Sequence, residues 1–321
     1  MRIVYDMAQA QPPAPSHLAI GVFDGVHRGH RQLITWMVKA AHSTNCVAIA
    51  LTFDPHPAVA LGHEPPPLLT TIEERAELLA ALGLDITVVL PFTPATARTP
   101  ATDFVEALIH HLRLAELWAG PDFALGHRRE GDIPFLRRLG AERGFTVHVV
   151  EPLTWGETPV SSSRIRAALK AGDIPQATDC LGRPYRLAGI VTPLPSPPDW
   201  RKVGHSTGGP TVNISPPPGR LVPAPGVYAC LAHAGQLGTH PAVTNIGTHS
   251  TSLSPREQQG HETPGVEVCL LDFDGDLYDQ ALAIDFIARL RGERAFPTLN
   301  ALVAQTHDDI ARARAILTAT R

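Results

Sequence analysis

HLAIGVFDGVHRGHRQLITWMVKAAHSTNCVAIALTF, residues 17–53, predicts a strand, a helix and a second strand in that order. Residues 46–53 are nearly continuously apolar and rich in β-branched side chains, which is typical of a strand buried on both faces. Residues 29–42 place apolar side chains at helical spacing. Strand–helix–strand units of this kind build a parallel sheet covered by helices, so the segment predicts an α/β fold.

The same alternation continues to about residue 182. Because ligands of parallel sheets bind beyond the carboxyl ends of the strands, each junction between a strand and a helix is a candidate site. Helices are predicted at residues 71–82, 101–112, 129–143 and 163–171, and strands at residues 86–92, 115–119 and 146–150.

The pattern changes after Gly182. Ten prolines lie between Ile190 and Pro225, and because proline lacks a backbone donor we expect this stretch to be loop, turn and edge. Asp274-Gly275 predicts a hairpin turn, and residues 298–320 predict one closing helix. Short apolar runs predict a small antiparallel barrel or sandwich, at residues 226–232, 242–246, 266–273 and 282–287.

Composition narrows the function classes. The chain has 321 residues, 44% of them hydrophobic and 18% charged, which predicts a globular protein of two domains. A formal net charge of −4 argues against general binding to a nucleic-acid backbone. The four cysteines are far apart and form no CxxC pair, so a zinc site or a disulfide framework is not expected. No secretion signal or run of about 18 apolar residues is visible, and we expect a cytoplasmic protein.

Residues 21–30, GVFDGVHRGH, lie between the first predicted strand and helix. His27 and His30 would stand at the helix N-terminus, where backbone N–H groups and the helix dipole favour phosphate. The imidazoles add donors for charge on a transferring phosphate. Alternatively, the glycines only make a tight turn and the histidines lie on a solvated helix start. A zinc pair is poorly supported because no third His or Cys is near.

This ten-residue string resembles the HxGH signature of nucleotidylyltransferases. In its full form it is similar to the bacterial bifunctional riboflavin kinase/FAD synthetase family. Four further segments resemble that family in the same order along the chain. They are TFDPHP at residues 52–57, LTTIEER at 69–75, GPDFALG at 120–126 and VSSSRIR at 160–166.

The resemblance implies that residues 1–182 form a Rossmann-like FMN adenylyltransferase domain. This domain would transfer the adenylyl group of ATP to FMN, giving FAD and pyrophosphate, with His27 and His30 as catalytic phosphate ligands. Asp24 would orient the loop, and one serine of residues 161–163 is expected to cap a helix. Nucleotide and phosphate binding is implied for Gly21, Phe23, Asp24, Gly25, Gly29, Ser161, Ser162, Ser163, Arg164 and Arg166. Flavin binding is implied for Asp54, His56, Pro57, Asp122 and Phe123.

The same resemblance implies a riboflavin kinase domain at residues 183–321, an antiparallel β-barrel with a closing helix. PTVN at residues 210–213 resembles the family's PTAN motif, so Thr211 and Asn213 would hold Mg²⁺ beside the ATP phosphates. Glu267 falls where the family has its base, which would accept the proton of the riboflavin 5′-hydroxyl. Taken alone, Glu267 is more typical of an outward-facing strand carboxylate than of a catalytic base. The acidic run at residues 272–276 lacks the order of a calcium loop.

The second domain also departs from the family pattern. Residues 195–209, which include Pro195, Pro197 and Pro198, stand where the family has a glycine-rich segment that offers N–H donors to phosphates. Residues 245–251 lack the usual Pro-Thr-Phe ending. A kinase with weakened ATP binding, or a flavin-binding module without turnover, is therefore an alternative. The sequence is also compatible with a nucleotidylyltransferase for another substrate and with a flavin-binding regulatory protein. We expect riboflavin, FMN and ATP as ligands, with no nucleic-acid or membrane partner; the oligomeric state is open.

Overall fold

The computed structural model describes residues 1–192, 210–247 and 265–319. The chain divides into two compact units, Met1–Ser162 and Ser163–Arg321. The proline-rich segment at residues 193–209 and most of residues 245–251 lie outside the described residues. The boundary expected between residues 182 and 183 stays a prediction.

The first unit is built on a six-stranded parallel sheet, which confirms the predicted α/β fold. The strand order is β1-β4-β3-β2-β5-β8. The strands are β1 (Arg2–Val4), β2 (Ser16–Ile20), β3 (Val47–Asp54), β4 (Ile86–Pro91), β5 (Leu114–Ala119), β6 (Ala124–Leu125), β7 (Gly131–Asp132), β8 (Thr146–Val149), β9 (Thr154–Trp155) and β10 (Thr158–Pro159). The helices are α1 (Arg28–Ser43), α2 (Pro57–Ala60), α3 (Ile72–Ala80), α4 (Pro94–Arg98), α5 (Ala101–Leu112) and α6 (Ile133–Arg143).

Two apolar layers cover this sheet, one on each face. Leu18 and Ile49 are buried in the cluster that contains Leu108 of α5. Ala19 and its neighbours on β3 are buried in the other cluster, with Met37 of α1. Successive residues of a strand point to opposite faces, so the continuous apolar runs of β2 and β3 supply both layers.

Helix α6 begins at Ile133, whereas the sequence pattern predicts a start at residue 129. Arg128 and Arg129 have positive φ angles of 52° and 62°, which no helix accommodates. The Asp132 carboxylate accepts the N–H of Phe135 at 2.9 Å and caps the helix.

Strand β2 stands where the chain changes direction across the sheet. From β2 the chain proceeds to β3 and β4 on one side, and later to β5 and β8 on the other. The connections that leave β2 and β5 therefore separate at the carboxyl edge, and a crevice opens between them. This topology places the candidate site of the first unit beyond the end of β2.

The second unit contains a closed barrel of strand order β11-β12-β15-β14-β13-β16. Because the sheet is closed, the sandwich alternative is excluded and the predicted barrel is confirmed. Its strands are β11 (Tyr185–Thr192), β12 (Thr211–Ser215), β13 (Gly226–His233), β14 (Thr239–Gly247), β15 (Gly265–Leu270) and β16 (Ala281–Arg291). Its helices are α7 (Ser162–Ala171), α8 (Ile174–Leu181) and α9 (Leu299–Ala319).

Helix α9 packs its apolar side on the outside of the barrel. Ile310, Ala313 and Leu317 are buried in one cluster with Val227 and Val243. This packing agrees with the closing helix predicted from residues 298–320.

Two expectations for the second unit are wrong. Residues 190–225 are not only loop, turn and edge, because Thr211–Ser215 pairs with β11 on one side and β15 on the other. This five-residue stretch contains no proline and carries β-branched side chains, which suit a central strand. Asp274-Gly275 is not a hairpin turn, because β15 pairs with β12 and β14 while β16 pairs with β11 and β13. The connection instead crosses between strands that are not neighbours.

Candidate active sites

The loop from Gly21 to His27 leaves β2 and enters α1 in an unusual backbone conformation. Phe23, Gly25 and Val26 have φ angles of 50°, 81° and 38°. For a residue with a side chain this left-handed region costs about 1–3 kcal/mol, and such strain is concentrated at functional sites. Other contacts must therefore hold the loop in place.

Asp24 provides the main anchor of this loop. Its buried carboxylate accepts the backbone N–H groups of Leu69 and Thr70, each at 3.0 Å, and the Thr70 hydroxyl at 3.1 Å. The same hydroxyl accepts the N–H of Gly25 at 3.0 Å. The buried guanidinium of Arg75 lies 3.6 Å from the Asp24 carboxylate. Asp24 is thus engaged inside the protein, which suits the orienting role expected for it.

His27 and His30 stack on one another at the start of α1. Their ring centroids are 3.6 Å apart with an interplanar angle of 19°. His27 is the N-cap, and its Nδ1 accepts the N–H of His30 at 3.3 Å. Phe23 meets His30 edge to face at 5.2 Å. The two predicted histidines therefore form one unit at the positive end of a 16-residue helix.

The surroundings of His30 disfavour its protonated form, chiefly because the ring is buried. Burial, followed by the charges of His27 and Arg75, holds the pKa of His30 well below its usual range. The His30 Nδ1 atom is buried and has no hydrogen-bond partner among the described residues. A neutral imidazole offers one donor and one acceptor, so this ring can donate one hydrogen bond to a phosphate oxygen.

Two glycines permit this packing. A Cβ atom on Gly21 would lie 3.0 Å from the Phe23 ring, and one on Gly29 would lie 3.3 Å from the His27 ring. Side chains at these positions would therefore displace the rings that surround His30.

The serine-rich segment contributes one residue to this loop. The Ser162 hydroxyl donates to the Asp24 carbonyl at 2.8 Å, and Ser161 is half-buried. Ser163, Arg164 and Arg166 lie on α7 and belong to the second unit. The N-cap role of a serine and the phosphate-binding roles of this segment stay predictions.

The predicted flavin residues flank β2 on the carboxyl edge of the sheet. Asp54 ends β3, and His56 caps the short helix α2, which begins at Pro57, by accepting the Ala58 N–H at 3.2 Å. On the other side, Asp122 and Phe123 follow β5. The sheet thus brings both groups to the edge that carries the histidines, and their flavin-binding role stays a prediction.

In the second unit, three polar side chains form a row across neighbouring strands. Glu267 on β15 pairs in register with Asn213 on β12 and with Asn245 on β14. Residues directly opposite in antiparallel strands project on the same face, so the three side chains are neighbours. The Asn245 amide donates to the Glu267 carboxylate at 3.3 Å.

Glu267 is a buried carboxyl, with 8% of its surface exposed. Burial raises the pKa of Glu267, while the hydrogen bond from Asn245 lowers it. A strand carboxylate on a solvated face would not be buried, so this alternative interpretation loses its support. A raised pKa is expected for a general base that works near neutral pH.

Side-chain oxygens that could bind a metal ion lie near the Glu267 carboxyl. Thr211 is two residues before Asn213 and therefore projects on the same face of β12. The Asn213 Nδ2 atom donates to the Thr192 hydroxyl at 3.4 Å. The Asn213 Oδ1 atom is buried without a hydrogen-bond partner in the described part of the chain, which leaves it available for a ligand.

Comparison with known proteins assigns both units. A family model for FAD synthetase matches residues 9–164, and one for riboflavin kinase matches residues 181–317. A bifunctional riboflavin kinase/FMN adenylyltransferase of Pseudomonas fluorescens is 34% identical over 319 residues, covering 98% of each chain. A protein of the same name from Bacillus subtilis is 34% identical over 300 residues, covering 92% of this chain and 90% of the relative. The chain belongs to the bifunctional riboflavin kinase/FMN adenylyltransferase family.

A solved structure from Streptococcus pneumoniae has the same fold. It is described as a macrolide-efflux protein, is 25% identical and gives a TM-score of 0.85 over 98% of this chain and 99% of its own. The likeness supports the two folds that the sheet and the barrel define.

Several residues of these flavin-enzyme sites escaped the sequence reasoning. Arg75, Thr70 and Asn245 contact predicted site residues, but their role depends on pairings between distant segments. The Asn245 segment drew attention only for its altered ending, although its place in an alternating strand could have placed it opposite Glu267.

The described residues give two further findings. No group of three or more His, Cys, Asp or Glu side chains within residues 1–192, 210–247 and 265–319 is arranged as a metal site. In the same part of the chain, no helix is both long and apolar enough to cross a membrane. The expected cytoplasmic location stays a prediction.

Proposed function

We propose that the chain makes FAD from riboflavin in two steps. The second unit phosphorylates riboflavin to FMN with ATP, and the first unit transfers the adenylyl group of ATP to FMN, giving FAD and pyrophosphate. The two family models, each falling on one half of the chain, carry this conclusion. The first model ends at residue 164 and the second begins at residue 181, and the proposed boundary near residue 182 lies just after that interval. The alternative of a flavin-binding-only second domain is not favoured.

In the first unit, adenylyl transfer needs positioning and charge stabilisation. A phosphate oxygen of FMN attacks the α-phosphorus of ATP, and the bond to pyrophosphate breaks. The N–H groups at the start of α1 and the paired rings of His27 and His30 donate to oxygens on which negative charge develops. No covalent nucleophile is required. Asp54, His56, Pro57, Asp122 and Phe123 would hold the flavin on either side of β2.

In the second unit, Glu267 acts as general base. Its carboxylate accepts the proton of the riboflavin 5′-hydroxyl as that oxygen attacks the γ-phosphorus, and ADP leaves. The raised pKa of Glu267 brings its basicity closer to that needed near neutral pH. The Asn245 amide holds the carboxylate in one orientation and favours its charged form.

The residues around Glu267 fit a magnesium ion. Mg²⁺ prefers oxygen ligands and keeps several waters, and the Thr211 hydroxyl and the buried Asn213 Oδ1 would hold it. Bound there, the ion neutralises charge on the ATP phosphates. The unpartnered Asn213 oxygen supports this assignment.

One assay tests both activities. The protein is incubated with riboflavin and Mg-ATP, and separately with FMN and Mg-ATP, and chromatography resolves riboflavin, FMN and FAD. We expect FMN and then FAD in the first reaction, FAD in the second, and neither product with EDTA. Replacing FMN by different phosphorylated acceptors tests the alternative that the first unit is a nucleotidylyltransferase for another substrate. Absence of FAD from FMN would exclude the adenylyltransferase, and absence of FMN from riboflavin would exclude the kinase.

A further inference from the structure

Arg75 is a buried charge without an assigned role. It lies on α3, and only 2% of its surface is exposed. Burying a guanidinium is costly unless charged or polar groups surround it. Its Nη2 atom lies 3.6 Å from the Asp24 carboxylate, and its Nη1 atom donates to the Thr52 hydroxyl at 3.2 Å. The cost is therefore offset by contacts to two separate segments.

Both contacts lead to the histidine loop, residues 21–27. Asp24 is part of the loop itself. Thr52 stands on β3, and its hydroxyl donates to the carbonyl of Val22 at 2.9 Å. Arg75 thus restrains the loop on both sides of Phe23, whose left-handed backbone requires such restraint.

The guanidinium also acts on His30 by its charge. Within the first unit, the charged groups that act on His30 are His27, from the start of α1, and Arg75, from α3; both lower the pKa of His30, after burial. The Asp24 carboxylate lies 3.6 Å from the Arg75 guanidinium. Arg28, the first residue of α1, lies over the Trp155 ring at 5.1 Å.

We propose that Arg75 is a positioning residue for adenylyl transfer: through Asp24 and Thr52 it fixes the loop that carries His27 and leads to His30. This inference rests on the proposed function of the first unit. Arg75 touches the loop and Thr52 rather than the reacting atoms, so it acts through the histidines.

Three variants separate the two effects of Arg75. Arg75→Met removes both the contacts and the charge, and Arg75→Lys keeps the charge. Thr52→Val removes the hydroxyl that joins Arg75 to the Val22 carbonyl while leaving Arg75 and its contact to Asp24 in place. FAD formation from FMN is measured as kcat and KM for ATP between acid and neutral pH. Because small misplacements of reacting groups cost up to ~10²-fold in rate, we expect Arg75→Met to lower kcat about that much with little change in KM.

The pH profile distinguishes positioning from a merely structural role. In Arg75→Met, loss of the positive charge raises the pKa of His30, so the acid limb of kcat should move to higher pH. In Arg75→Lys and Thr52→Val the limb should stay in place, and Arg75→Lys should recover part of kcat. Wild-type kcat and an unmoved limb in Arg75→Met would overturn the proposal.

Two controls keep the result decisive. Riboflavin phosphorylation by the second unit and the unfolding midpoint report whether each variant is folded. If Arg75→Met does not fold, the kcat values of Arg75→Lys and Thr52→Val for FAD formation test the proposal instead. NMR of the His30 imidazole, assigned with a His30→Gln variant, measures its pKa without any turnover. If the wild type makes no FAD, the proposed function fails. A His30 pKa equal in wild type and Arg75→Met would then separately refute the role of Arg75.

Discussion

His30 lies at a helix N-terminus and stacks on His27, and this arrangement preorganises its ring as a donor to a phosphate. Replacing it by alanine removes one preorganised donor, and the loss of such a donor costs ~10²–10³ in rate. We therefore expect His30→Ala to abolish detectable conversion of FMN to FAD while riboflavin phosphorylation continues. Chromatography of FMN and FAD measures both.

His42 offers a matched control on the same helix. It is an exposed histidine in the last turn of α1 that contacts Asp85 at 3.1 Å. His42→Ala should leave FAD formation at the wild-type rate. FAD formation by His30→Ala at that rate would refute the phosphate-ligand assignment.

Glu267 illustrates the cost of a buried base. Because burial raises its pKa in the folded protein, this carboxyl lowers stability as pH rises from its unfolded to its folded pKa. Glu267→Gln keeps the shape and removes the proton acceptor. We expect it to abolish riboflavin phosphorylation and to raise the free energy of unfolding at neutral pH. Steady-state kinetics at saturating riboflavin and urea denaturation measure the two effects.

Exposed Asp276→Asn is the control for Glu267→Gln, and full turnover in Glu267→Gln would mean that the base is misassigned.

Asn245 is expected to set the pKa of the Glu267 carboxyl. Its amide favours the charged form of Glu267 and lowers the pKa of the carboxyl. Without this donor the pKa rises further, so the acid limb of the kinase profile should move to higher pH in Asn245→Leu. The measurement is kcat for FMN formation as a function of pH. An unmoved limb with wild-type kcat would exclude Asn245 from the site.

At the scale of elements, the start of α3 supports the histidine loop. Thr71 caps the helix in a reciprocal pair with Glu74, at 2.9 and 3.2 Å, next to the N–H groups of Leu69 and Thr70 that bind Asp24. Thr71→Ala should lower the free energy of unfolding by about 1 kcal/mol and also lower kcat for FAD formation. Urea denaturation and kinetics test this.

A second cap serves as the comparison. Asp132 caps α6 through the Phe135 N–H, so Asp132→Ala should cost similar stability without lowering kcat. Equal kcat losses in both variants would show that the effect of Thr71 is not specific to the loop.

The elements also show what local sequence patterns can predict. Residues 101–112 form the predicted helix, because helical periodicity acts within the segment. The order of barrel strands depends instead on pairing between distant segments, so a turn signal at Asp274-Gly275 predicted the wrong connection. The string GVFDGVHRGH at residues 21–30 likewise predicted a site from residues that are neighbours in the sequence. The contacts of Arg75 and Asn245 exist only once the strands are placed, and the sequence pattern alone does not contain them.

At the scale of the whole chain, the extent of the kinase unit can be measured. Residues 182–321 contain the barrel and its closing helix, and we expect this fragment to fold and to bind riboflavin. Helices α7 and α8 add further contacts within the second unit. The Leu169 carbonyl accepts the Ala224 N–H at 2.9 Å, and Leu181 is buried.

The fragment 163–321 should therefore be more stable than the fragment 182–321. Burial of one leucine side chain contributes about 1.5–3 kcal/mol, so removing two helices should shift the urea midpoint clearly downward. Circular dichroism in urea measures stability, and quenching of riboflavin fluorescence measures binding. Leu169→Ala in the longer fragment tests the contribution of α7 directly and should lower its midpoint. Equal midpoints for the two fragments would place α7 and α8 outside the folding unit of the kinase, whereas an unfolded shorter fragment would move the domain boundary to their start.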